Sequence, residues 1–465
     1  MSEKTNPYRL LPSVDELLRS ASGLDGPVAE LVPGVLESAR ARIRSGDWAA
    51  TDVEGWIAAN GPLVELREAL AVEQRRGVVK CINATGVVLN TGLGRAPVHP
   101  EAAAAMAEAA ASFCVLEVDR ETAKRNRRDD RTSQLLSRLL GTEAGIAVNN
   151  CAAAVLITLQ EFSGGKSCIL SRGELVEIGG SFRMPSVMER AGVQLVEVGT
   201  TNRTRVADYA DAIDEQTGLL LKVHTSNYRV VGFQEEVSPA ELAQLGKQRN
   251  LPTAYDLGSG MLDAPGSASL GFLGDEPHVR EALEADLDLV MFSGDKLFGG
   301  PQAGMLVGKR KTIEALRKNP LYRALRLDKV GLAGLEKTLE LLLAGRADEL
   351  PARALLLREP AELERAAKAL AERLAALDLP LEVDTLPERS QPGSGSAPDV
   401  YLDTTCVRVK PRGESADSLA TRLRRVDPPV FVRIREESLL LDPRTLLAGD
   451  DEFLVQAFES AGRER

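Results

Sequence analysis

The sequence predicts an α/β protein in which short buried strands alternate with helices. From Cys81 onward, short apolar runs alternate with alanine- and leucine-rich segments of helical periodicity, which is the pattern of a sheet covered by helices. Several of those runs are apolar at every position, as expected of strands that are buried on both faces. Of the 465 residues, 44% are hydrophobic, so the chain can form a large core and about two or three domains.

The composition also argues against several functional classes. The formal net charge is −11 at pH 7, so net charge offers no argument for nucleic-acid binding. The N-terminus is polar and no apolar run approaches the roughly 18 residues of a membrane span, so we expect a soluble, cytoplasmic protein without a membrane partner. Five cysteines without a C-x-x-C pair, and three histidines outside any metal-spaced cluster, predict neither a disulfide framework nor a metal site.

Residues 1–77 are predicted to form a separate helical domain. Amphipathic patterns cover Val14–Arg19, Val28–Arg44 and Trp56–Glu73, and no strand pattern appears. Glycine–proline pairs interrupt the helical pattern. From the residues alone, this domain could be an oligomerisation arm or a module that binds something larger than a small cofactor.

The next domain, residues 78–330, begins with glycine-rich loop and helix. A basic run at 119–131 is interspersed with acidic residues; such a run is usually a solvated face, although beside a phosphate substrate it could bind that phosphate. Further along, the pattern predicts a helix over 172–185 and a strand at Val230–Phe233.

A predicted strand at Ile146–Val148 leads into a turn that contains Asn150, Cys151 and Ala152 and opens a helix. Small residues at such a turn leave backbone N–H groups and the positive end of the helix dipole pointing at a bound anion. The turn is therefore the predicted phosphate-binding site. No histidine lies near Cys151 in the sequence, so we interpret this cysteine as a small residue tolerated in a tight turn.

Lys296 follows an apolar run that ends at Phe292. Ser293 comes directly after that run, three residues before the lysine. A lysine at the mouth of a buried strand loses solvation, which favours its neutral amine. A neutral amine forms a Schiff base with an aldehyde, and pyridoxal phosphate (PLP) is the commonest aldehyde cofactor. Ser293 could bind the cofactor phosphate. The S-x-x-K pattern alone is weak, since a surface lysine after a core strand would look the same.

A second strand end strengthens the PLP hypothesis. Asp256 follows the short apolar run Leu251–Tyr255, about 40 residues before Lys296. A carboxylate there can pair with the pyridine nitrogen of PLP and keep it protonated, although a lone Asp at a strand end is often only a cap or turn residue. This spacing of Asp and Lys is the one used by PLP enzymes of the aspartate-aminotransferase type.

His224, Ser226 and Asn227 follow a third predicted strand, Gly218–Val223. In open α/β sheets, ligands collect at the carboxyl ends of the strands. We therefore expect these three residues to share one cofactor pocket with the phosphate turn, Asp256 and Lys296.

Residues 331–465 are predicted to contain a long helix and a small α+β domain. A linker rich in Ser, Gly and Pro, Glu388–Pro398, is expected to be flexible. The strands of the small domain are predicted at Tyr401–Val409, Pro428–Ile434 and Ser438–Leu441.

Taken together, the motifs resemble those of bacterial selenocysteine synthase, the L-seryl-tRNA(Sec) selenium transferase family. The resemblance covers nearly the whole chain and rests on long, unusual stretches, namely N-A-T-G-V-V-L-N-T-G-L-G-R-A-P, S-R-G-E-L-V-E-I-G-G-S-F-R-M-P, V-G-T-T-N-R-T, K-V-H-T-S-N-Y, D-L-G-S-G and S-G-D-K-L-F-G-G-P-Q-A-G. It implies PLP-dependent fold type I with an aspartate-aminotransferase-like large domain, a homodecamer of five dimers, and an N-terminal domain that grips tRNA.

The resemblance also implies a reaction and site residues. Seryl-tRNA(Sec) would undergo β-elimination to aminoacrylyl-tRNA, and selenium from selenophosphate would then add. Lys296 would carry PLP, and Asp295 would support catalysis. Arg95, Arg323 and Arg326 fall where the family has selenophosphate-binding arginines; the latter two are expected to share one helix face. The alternative is a PLP lyase or aminotransferase acting on a free, possibly phosphorylated, amino acid, which would not need the N-terminal domain.

Overall fold

The computed structural model describes residues 6–180, 182–393 and 395–463. The chain divides into two compact units. The first comprises Met1–Cys81 with Asp427–Pro429, and the second comprises Ile82–Val426 with Val430–Arg465. Within the described ranges, no helix is both long enough and apolar enough to cross a membrane.

The first unit is helical, with α1 (Val14–Ser20), α2 (Val28–Ser45), α3 (Ala50–Ala58) and α4 (Gly61–Gln74). Leucine and valine side chains of α1, α2 and α4 form its apolar core. A capping box starts α1, because Glu16 N–H donates to Ser13 Oγ and Ser13 N–H donates to Glu16 Oε2. The interruption predicted at the Gly61–Pro62 pair within Trp56–Glu73 is confirmed: Asn60, with a φ of 61°, separates α3 from α4.

The second unit alternates strands and helices, as predicted. Its strands are β1 (Ile82–Ala84), β2 (Ala144–Val148), β3 (Ser167–Ser171), β4 (Glu177–Ile178), β5 (Phe182–Arg183), β6 (Gln194–Val198), β7 (Thr217–Val223), β8 (Thr253–Gly258), β9 (Leu289–Ser293), β10 (Gly304–Gly308), β11 (Leu381–Ser390), β12 (Leu402–Pro411), β13 (Val430–Arg435) and β14 (Ser438–Leu441). Its helices are α5 (Pro100–Ala111), α6 (Asp130–Leu140), α7 (Cys151–Ser163), α8 (Met184–Arg190), α9 (Val206–Ala212), α10 (Pro239–Arg249), α11 (Val279–Glu284), α12 (Arg310–Lys318), α13 (Pro320–Leu325), α14 (Lys329–Leu343), α15 (Pro351–Leu356), α16 (Pro360–Ala375), α17 (Ala416–Leu423) and α18 (Asp450–Arg463).

The central sheet has seven strands in the order β2-β10-β9-β8-β7-β3-β6. Neighbouring strands are parallel except where β10 runs antiparallel to both β2 and β9. Because β2 and β9 are both antiparallel to β10, they point the same way. The carboxyl ends of β2, β7, β8 and β9 therefore lie at one edge of the sheet, which is where open α/β sheets bind ligands.

Helices cover both faces of this sheet. On β9, Val290 and Phe292 pack into one apolar cluster with side chains from α6, α10 and α14, whereas Leu289 and Met291 pack into another with side chains from α7, α8 and α12. None of the four is more than 1% exposed. Burial of each such side chain contributes about 1.5–3 kcal/mol. The prediction of a strand buried on both faces is confirmed.

A second sheet has five strands in the order β1-β13-β14-β12-β11, antiparallel except for the pair β1–β13. Helices α16, α17 and α18 pack on it through an apolar cluster that includes Leu370, Leu419 and Phe458. The three strands predicted for this region are confirmed, with small shifts at their ends.

The helix predicted over residues 172–185 is wrong. Strand β4 pairs antiparallel with β5, and α8 begins only at Met184. Gly179 and Gly180 have positive φ values of 61° and 74°, so the chain turns where the helix was expected.

The strand predicted at Val230–Phe233 is also wrong. Phe233 has a positive φ of 44°, and its carbonyl accepts hydrogen bonds from the side chains of Asn202 and Arg203. Side chains thus satisfy a backbone group that a neighbouring strand would otherwise bind.

The flexible linker predicted at Glu388–Pro398 is wrong as well. Its first residues complete β11. The N–H of Gln391 donates to the carbonyl of Gly86 at 2.8 Å, and Ser396 is only 1% exposed. We call the described residues of 391–398 the strap. Contacts with distant parts of the chain bury the strap, and its Ser- and Gly-rich composition does not reveal them.

Gly304, the first residue of β10, lies against the turn after β2. A Cβ there would overlap the carbonyl oxygen of Asn150 and lie 2.9 Å from the backbone nitrogen of Cys151. We therefore expect Gly304→Ala to lower the free energy of unfolding by about 1–3 kcal/mol, measured by urea unfolding of the full chain. Gly92→Ala is the control, because a Cβ there meets only Asn90 Oδ1 at 3.5 Å. Equal losses in both variants would contradict the prediction.

Candidate active site

Lys296 lies in the turn after β9, three residues beyond Ser293. The turn is held by the N–H of Leu297, which donates to the carbonyl of Ser259 at 3.1 Å. Lys296 is 7% exposed, and its Nζ donates to the carbonyl of Gly395 in the strap at 3.3 Å. Ser293 is also buried. The amine is therefore poorly solvated at the carboxyl edge of the sheet, which suits a nucleophile or a base.

Asp256 lies in β8, the neighbour of β9, and its side chain is buried. Its Oδ1 accepts a hydrogen bond from the Cys151 thiol at 3.3 Å. Burial raises the pKa of Asp256; the Cys151 hydrogen bond and the positive charge of Lys296 oppose that rise without cancelling it. A buried carboxylate in this situation gains from a cationic partner, and a protonated ring nitrogen would be one.

The turn after β2 places Asn150, Cys151 and Ala152 at the start of α7. Asn150 is the N-cap, because its Oδ1 accepts the N–H of Ala153 at 2.9 Å. Burial, with the adjacent Asp256 carboxylate, raises the pKa of Cys151 well above its ordinary value, so the thiol is a hydrogen-bond donor and not a nucleophile. Since the Asn150 side chain is engaged in capping, an anion here would bind backbone N–H groups.

His224 directly follows β7, and its N–H donates to the carbonyl of Asp256 at 2.9 Å. The N–H of Ser226 donates to the carbonyl of His224 at 2.9 Å. Asn227 has a different partner, since its Nδ2 donates to the carbonyl of Glu177 in β4 at 2.7 Å. The structure thus ties His224 to Asp256, while the side-chain amide of Asn227 binds the β4–β5 hairpin.

Several buried polar atoms of this region have no hydrogen-bond partner among the described residues. They are His224 Nε2, Ser226 Oγ, Ser259 Oγ and Glu276 Oε1. Buried polar groups are nearly always satisfied, so these atoms are ones that a polar ligand would satisfy. Sequence reasoning missed Glu276, which stands in a loop without a recognisable pattern. Ser259 belongs to the D-L-G-S-G motif, so its place after a buried strand could have identified it.

Asp295 and Arg95 form an ion pair next to the lysine turn. Arg95 Nη1 donates to Asp295 Oδ2 at 2.8 Å, and both side chains are largely buried. The N–H of Ala96 donates to the carbonyl of Asp295 at 3.4 Å, which holds the glycine-rich loop against the same turn. Arg95 is thus placed beside the residue that precedes Lys296.

Arg323 and Arg326 do not share a helix face as predicted. Arg323 lies in α13 and is exposed, whereas Arg326 follows the helix with extended backbone and forms a bridge with Val148, the last residue of β2. Arg326 Nη1 lies 3.4 Å from Glu117 Oε1. In the described part of the chain, no hydrogen bond or ion pair links Arg95 to either residue.

The basic run at 119–131 is extensively paired with acidic side chains. Arg125 and Arg128 form ion pairs with Glu117, and Arg127 forms one with Glu314. A hydrogen bond from Arg128, with the positive charges of Arg128, Arg326 and Arg125, lowers the pKa of Glu117. The exposed residues 120–127 fit the interpretation of a solvated face, whereas Asp129 is buried.

The described residues contain no group of His, Cys, Asp and Glu side chains that could hold a metal ion. The site offers a buried amine, a buried carboxylate, a helix N-terminus and hydroxyl and imidazole groups without a hydrogen-bond partner among the described residues. This donor set fits PLP, because it offers an amine for the aldehyde, an anion for the ring nitrogen and N–H groups for the phosphate.

Among solved structures, that of D-glucosaminate-6-phosphate ammonia-lyase matches 84% of this chain and 98% of its own, with a TM-score of 0.57 and 22% sequence identity. At this level of sequence identity, the likeness shows that the two proteins share a fold and shows nothing about a shared activity. The predicted α/β architecture of PLP-dependent fold type I is confirmed.

Sequence comparison gives the family. The L-seryl-tRNA(Sec) selenium transferase of Nitratidesulfovibrio vulgaris is 45% identical over 454 residues, covering 94% of this chain and 95% of that protein. That of Aquifex aeolicus is 43% identical and covers 84% of this chain and 86% of its own. That of Moorella thermoacetica is also 43% identical and covers 99% of this chain and 98% of its own. The model of the family described as L-seryl-tRNA selenium transferase matches residues 81–447. The chain therefore belongs to the L-seryl-tRNA selenium transferase family.

Proposed function

We propose that this chain converts L-seryl-tRNA(Sec) to L-selenocysteinyl-tRNA(Sec), with PLP bound at Lys296 and selenophosphate as the selenium donor. The observation that carries the proposal is the burial of Asp256 in β8 and of Lys296 in the turn after the neighbouring strand β9, in a chain 45% identical to a named L-seryl-tRNA(Sec) selenium transferase. On this proposal the protein is a PLP-dependent transferase.

When bound, PLP supplies an electron sink that allows the serine β-hydroxyl to be replaced. Lys296 would hold its aldehyde carbon, and Asp256 would keep its ring nitrogen protonated. The backbone N–H groups of Cys151 and Ala152 suit its phosphate. The other residues proposed for the cofactor pocket are Asn150, His224, Ser226, Asn227 and Ser293; the side chains of Asn150 and Asn227 already bind the backbone at Ala153 and Glu177.

We propose that Lys296 Nζ, when it is not bonded to the cofactor, would also accept the α-proton of the serine. The amine is buried, and the Gly395 carbonyl gives it a fixed direction at 3.3 Å. We propose that Asp295 supports this step. Its carboxylate pairs with Arg95 at 2.8 Å, which fixes the turn on which the lysine stands.

We propose that Arg95, Arg323 and Arg326 bind selenophosphate, because a guanidinium fork binds oxyanions in a bidentate manner. Arg323 is exposed and has no ion pair among the described residues, so it offers an unshared charge. Arg95 and Arg326 are paired with Asp295 and Glu117, so an incoming oxyanion would compete with these carboxylates.

We further propose that the chain assembles as a cytoplasmic homodecamer of five dimers. Apolar side chains in the segment between α5 and α6 are highly exposed, with Phe113 at 107% and Val115 at 70% of the reference value. Exposed apolar groups of this size are typical of surfaces that another subunit covers.

The reaction itself is tested by incubating the purified protein with PLP, seryl-tRNA(Sec) and selenophosphate and identifying the aminoacyl product. We expect selenocysteinyl-tRNA(Sec), and none when selenophosphate is omitted. The Arg323→Ala variant should need more selenophosphate for the same rate, whereas Arg120→Ala, an exposed control, should not. Turnover of free or phosphorylated amino acids without any charged tRNA product would instead support the lyase or aminotransferase hypothesis.

Asp256→Asn should lower turnover far more than PLP content. An amide cannot keep the ring nitrogen protonated, while the phosphate contacts and Lys296 remain. Loss of a charge-assisted hydrogen bond costs roughly 1.5–3 kcal/mol, which corresponds to about ten- to a hundredfold in rate. Rate and bound PLP are measured on the same preparations, with the exposed Asp211→Asn as control. Near-normal turnover of Asp256→Asn would place the ring-nitrogen partner elsewhere.

We propose that the first unit binds the tRNA. The residues proposed for the PLP site all belong to the second unit. In the first unit, Arg40 and Arg44 pair with Glu37, and Arg42 pairs with Glu65, so binding would depend on shape and backbone contacts more than on a bare cationic patch.

A chain that lacks residues 1–77 should keep its PLP but lose affinity for tRNA(Sec). Binding by the full chain should weaken with added salt, because phosphate contacts release counterions. A gel-shift titration of both proteins measures the difference. Equal affinity would remove the tRNA-binding role and favour the oligomerisation arm.

A further inference from the structure

Glu276 is a buried carboxylate that the proposed reaction does not use. It lies in the loop before α11, and its side chain is only 1% exposed. Its Oε2 accepts the N–H of Ala397 at 2.8 Å, while its Oε1 has no hydrogen-bond partner among the described residues. No lysine or arginine pairs with it in the described part of the chain. A buried charge with so few partners is costly, and such groups concentrate at functional sites.

On one side, Glu276 holds the strap. Ala397 belongs to the strap, whose other end is fixed where the N–H of Leu89 donates to the carbonyl of Pro392 at 2.8 Å. Between these anchors, the Gly395 carbonyl accepts the hydrogen bond from Lys296 Nζ. The position of that carbonyl therefore depends on the anchor that Glu276 provides.

On the other side, Glu276 faces the cofactor pocket. Its Oε2 lies 3.5 Å from His224 Nε2, at the outer limit of a hydrogen bond. His224 in turn is tied through its backbone to Asp256. Burial alone would raise the pKa of Glu276; the His224 ring, the neighbouring Ser259 hydroxyl and the Ala397 N–H together outweigh that effect, so the pKa lies below its ordinary value and the group stays a carboxylate.

We propose that Glu276 is a positioning residue of the cofactor pocket. One carboxylate oxygen fixes the strap, so that the Gly395 carbonyl directs the Lys296 amine, and the charge of the same group fixes the His224 ring beside Asp256. The contact with His224 rests on the proposed function, because it concerns PLP binding. The contact with the strap does not, because it concerns the protein alone.

The two contacts have different chemical requirements, so different substitutions of Glu276 can test them separately. The N–H of Ala397 needs only an acceptor oxygen, which a glutamine also offers. Glutamine also offers the His224 ring an acceptor oxygen, but without the negative charge that strengthens such a contact. Glu276→Gln should therefore keep the strap in place and weaken the contact with His224, whereas Glu276→Ala should lose both. Glu281→Gln, an exposed change in the adjacent helix α11, is the matched control.

The strap is tested by hydrogen exchange of the full-length, cofactor-free protein, read by mass spectrometry on peptides that cover 395–400. We expect Glu276→Ala to raise exchange there by about tenfold or more, and Glu276→Gln and Glu281→Gln to stay close to the wild type. Wild-type exchange in a folded Glu276→Ala protein would overturn the strap role. If Glu276→Ala does not fold, a tenfold rise in Glu276→Gln would overturn it, and protection retained in Glu276→Gln would support it.

The pocket contact is tested by titrating the same cofactor-free proteins with PLP and measuring the dissociation constant by absorbance. We expect Glu276→Gln to weaken PLP binding by about fivefold or more, with no change for Glu281→Gln. A loss of binding with intact strap protection is a result that a merely structural role would not give. A wild-type dissociation constant for Glu276→Gln would overturn the role at His224. The exchange result stands whether or not the chain proves to make selenocysteinyl-tRNA.

Discussion

The burial of the seven-stranded sheet on both faces is the constraint on which the rest of the second unit depends. A strand such as β9, with Val290 and Phe292 on one face and Leu289 and Met291 on the other, leaves no side chain free for chemistry along its length. The reactive groups therefore lie at or near the carboxyl ends of the strands. The parallel arrangement brings several of those ends to one edge, so a packing requirement of the core also assembles the site.

At that edge, charged and polar groups lie close together and influence one another's pKa values. Burial raises the pKa of Asp256, and the hydrogen bond from Cys151 and the positive charge of Lys296 oppose the rise. His224 faces Glu276, whose pKa lies below its ordinary value. A change in any one of these groups therefore alters the others, which is typical of sites that hold a charged cofactor.

Much of this arrangement could be predicted from the sequence, because local patterns encode it. The uninterrupted apolar run before Ser293 and the one around Ala254 identified buried strands, and the residues immediately after a buried strand lie at an edge of the sheet. The β4–β5 hairpin was missed because Gly179 and Gly180 interrupt a stretch with helical composition. The strap and Glu276 were missed for another reason: contacts between residues far apart in the sequence determine their burial, and composition carries no trace of such contacts.

The antiparallel strand β10 has a consequence for the order in which the protein assembles. Pairing of β9 with β10 closes only a short loop, and Lys296 lies within that loop. Short loops cost little chain entropy, whereas the parallel pairing of β9 with β8 must bridge the segment that includes α11. The turn that carries the lysine is thus a local product of folding, but Asp256 reaches it only after a longer-range step. During refolding of the full chain, the turn that carries the amine can therefore form from local contacts before Asp256 reaches it.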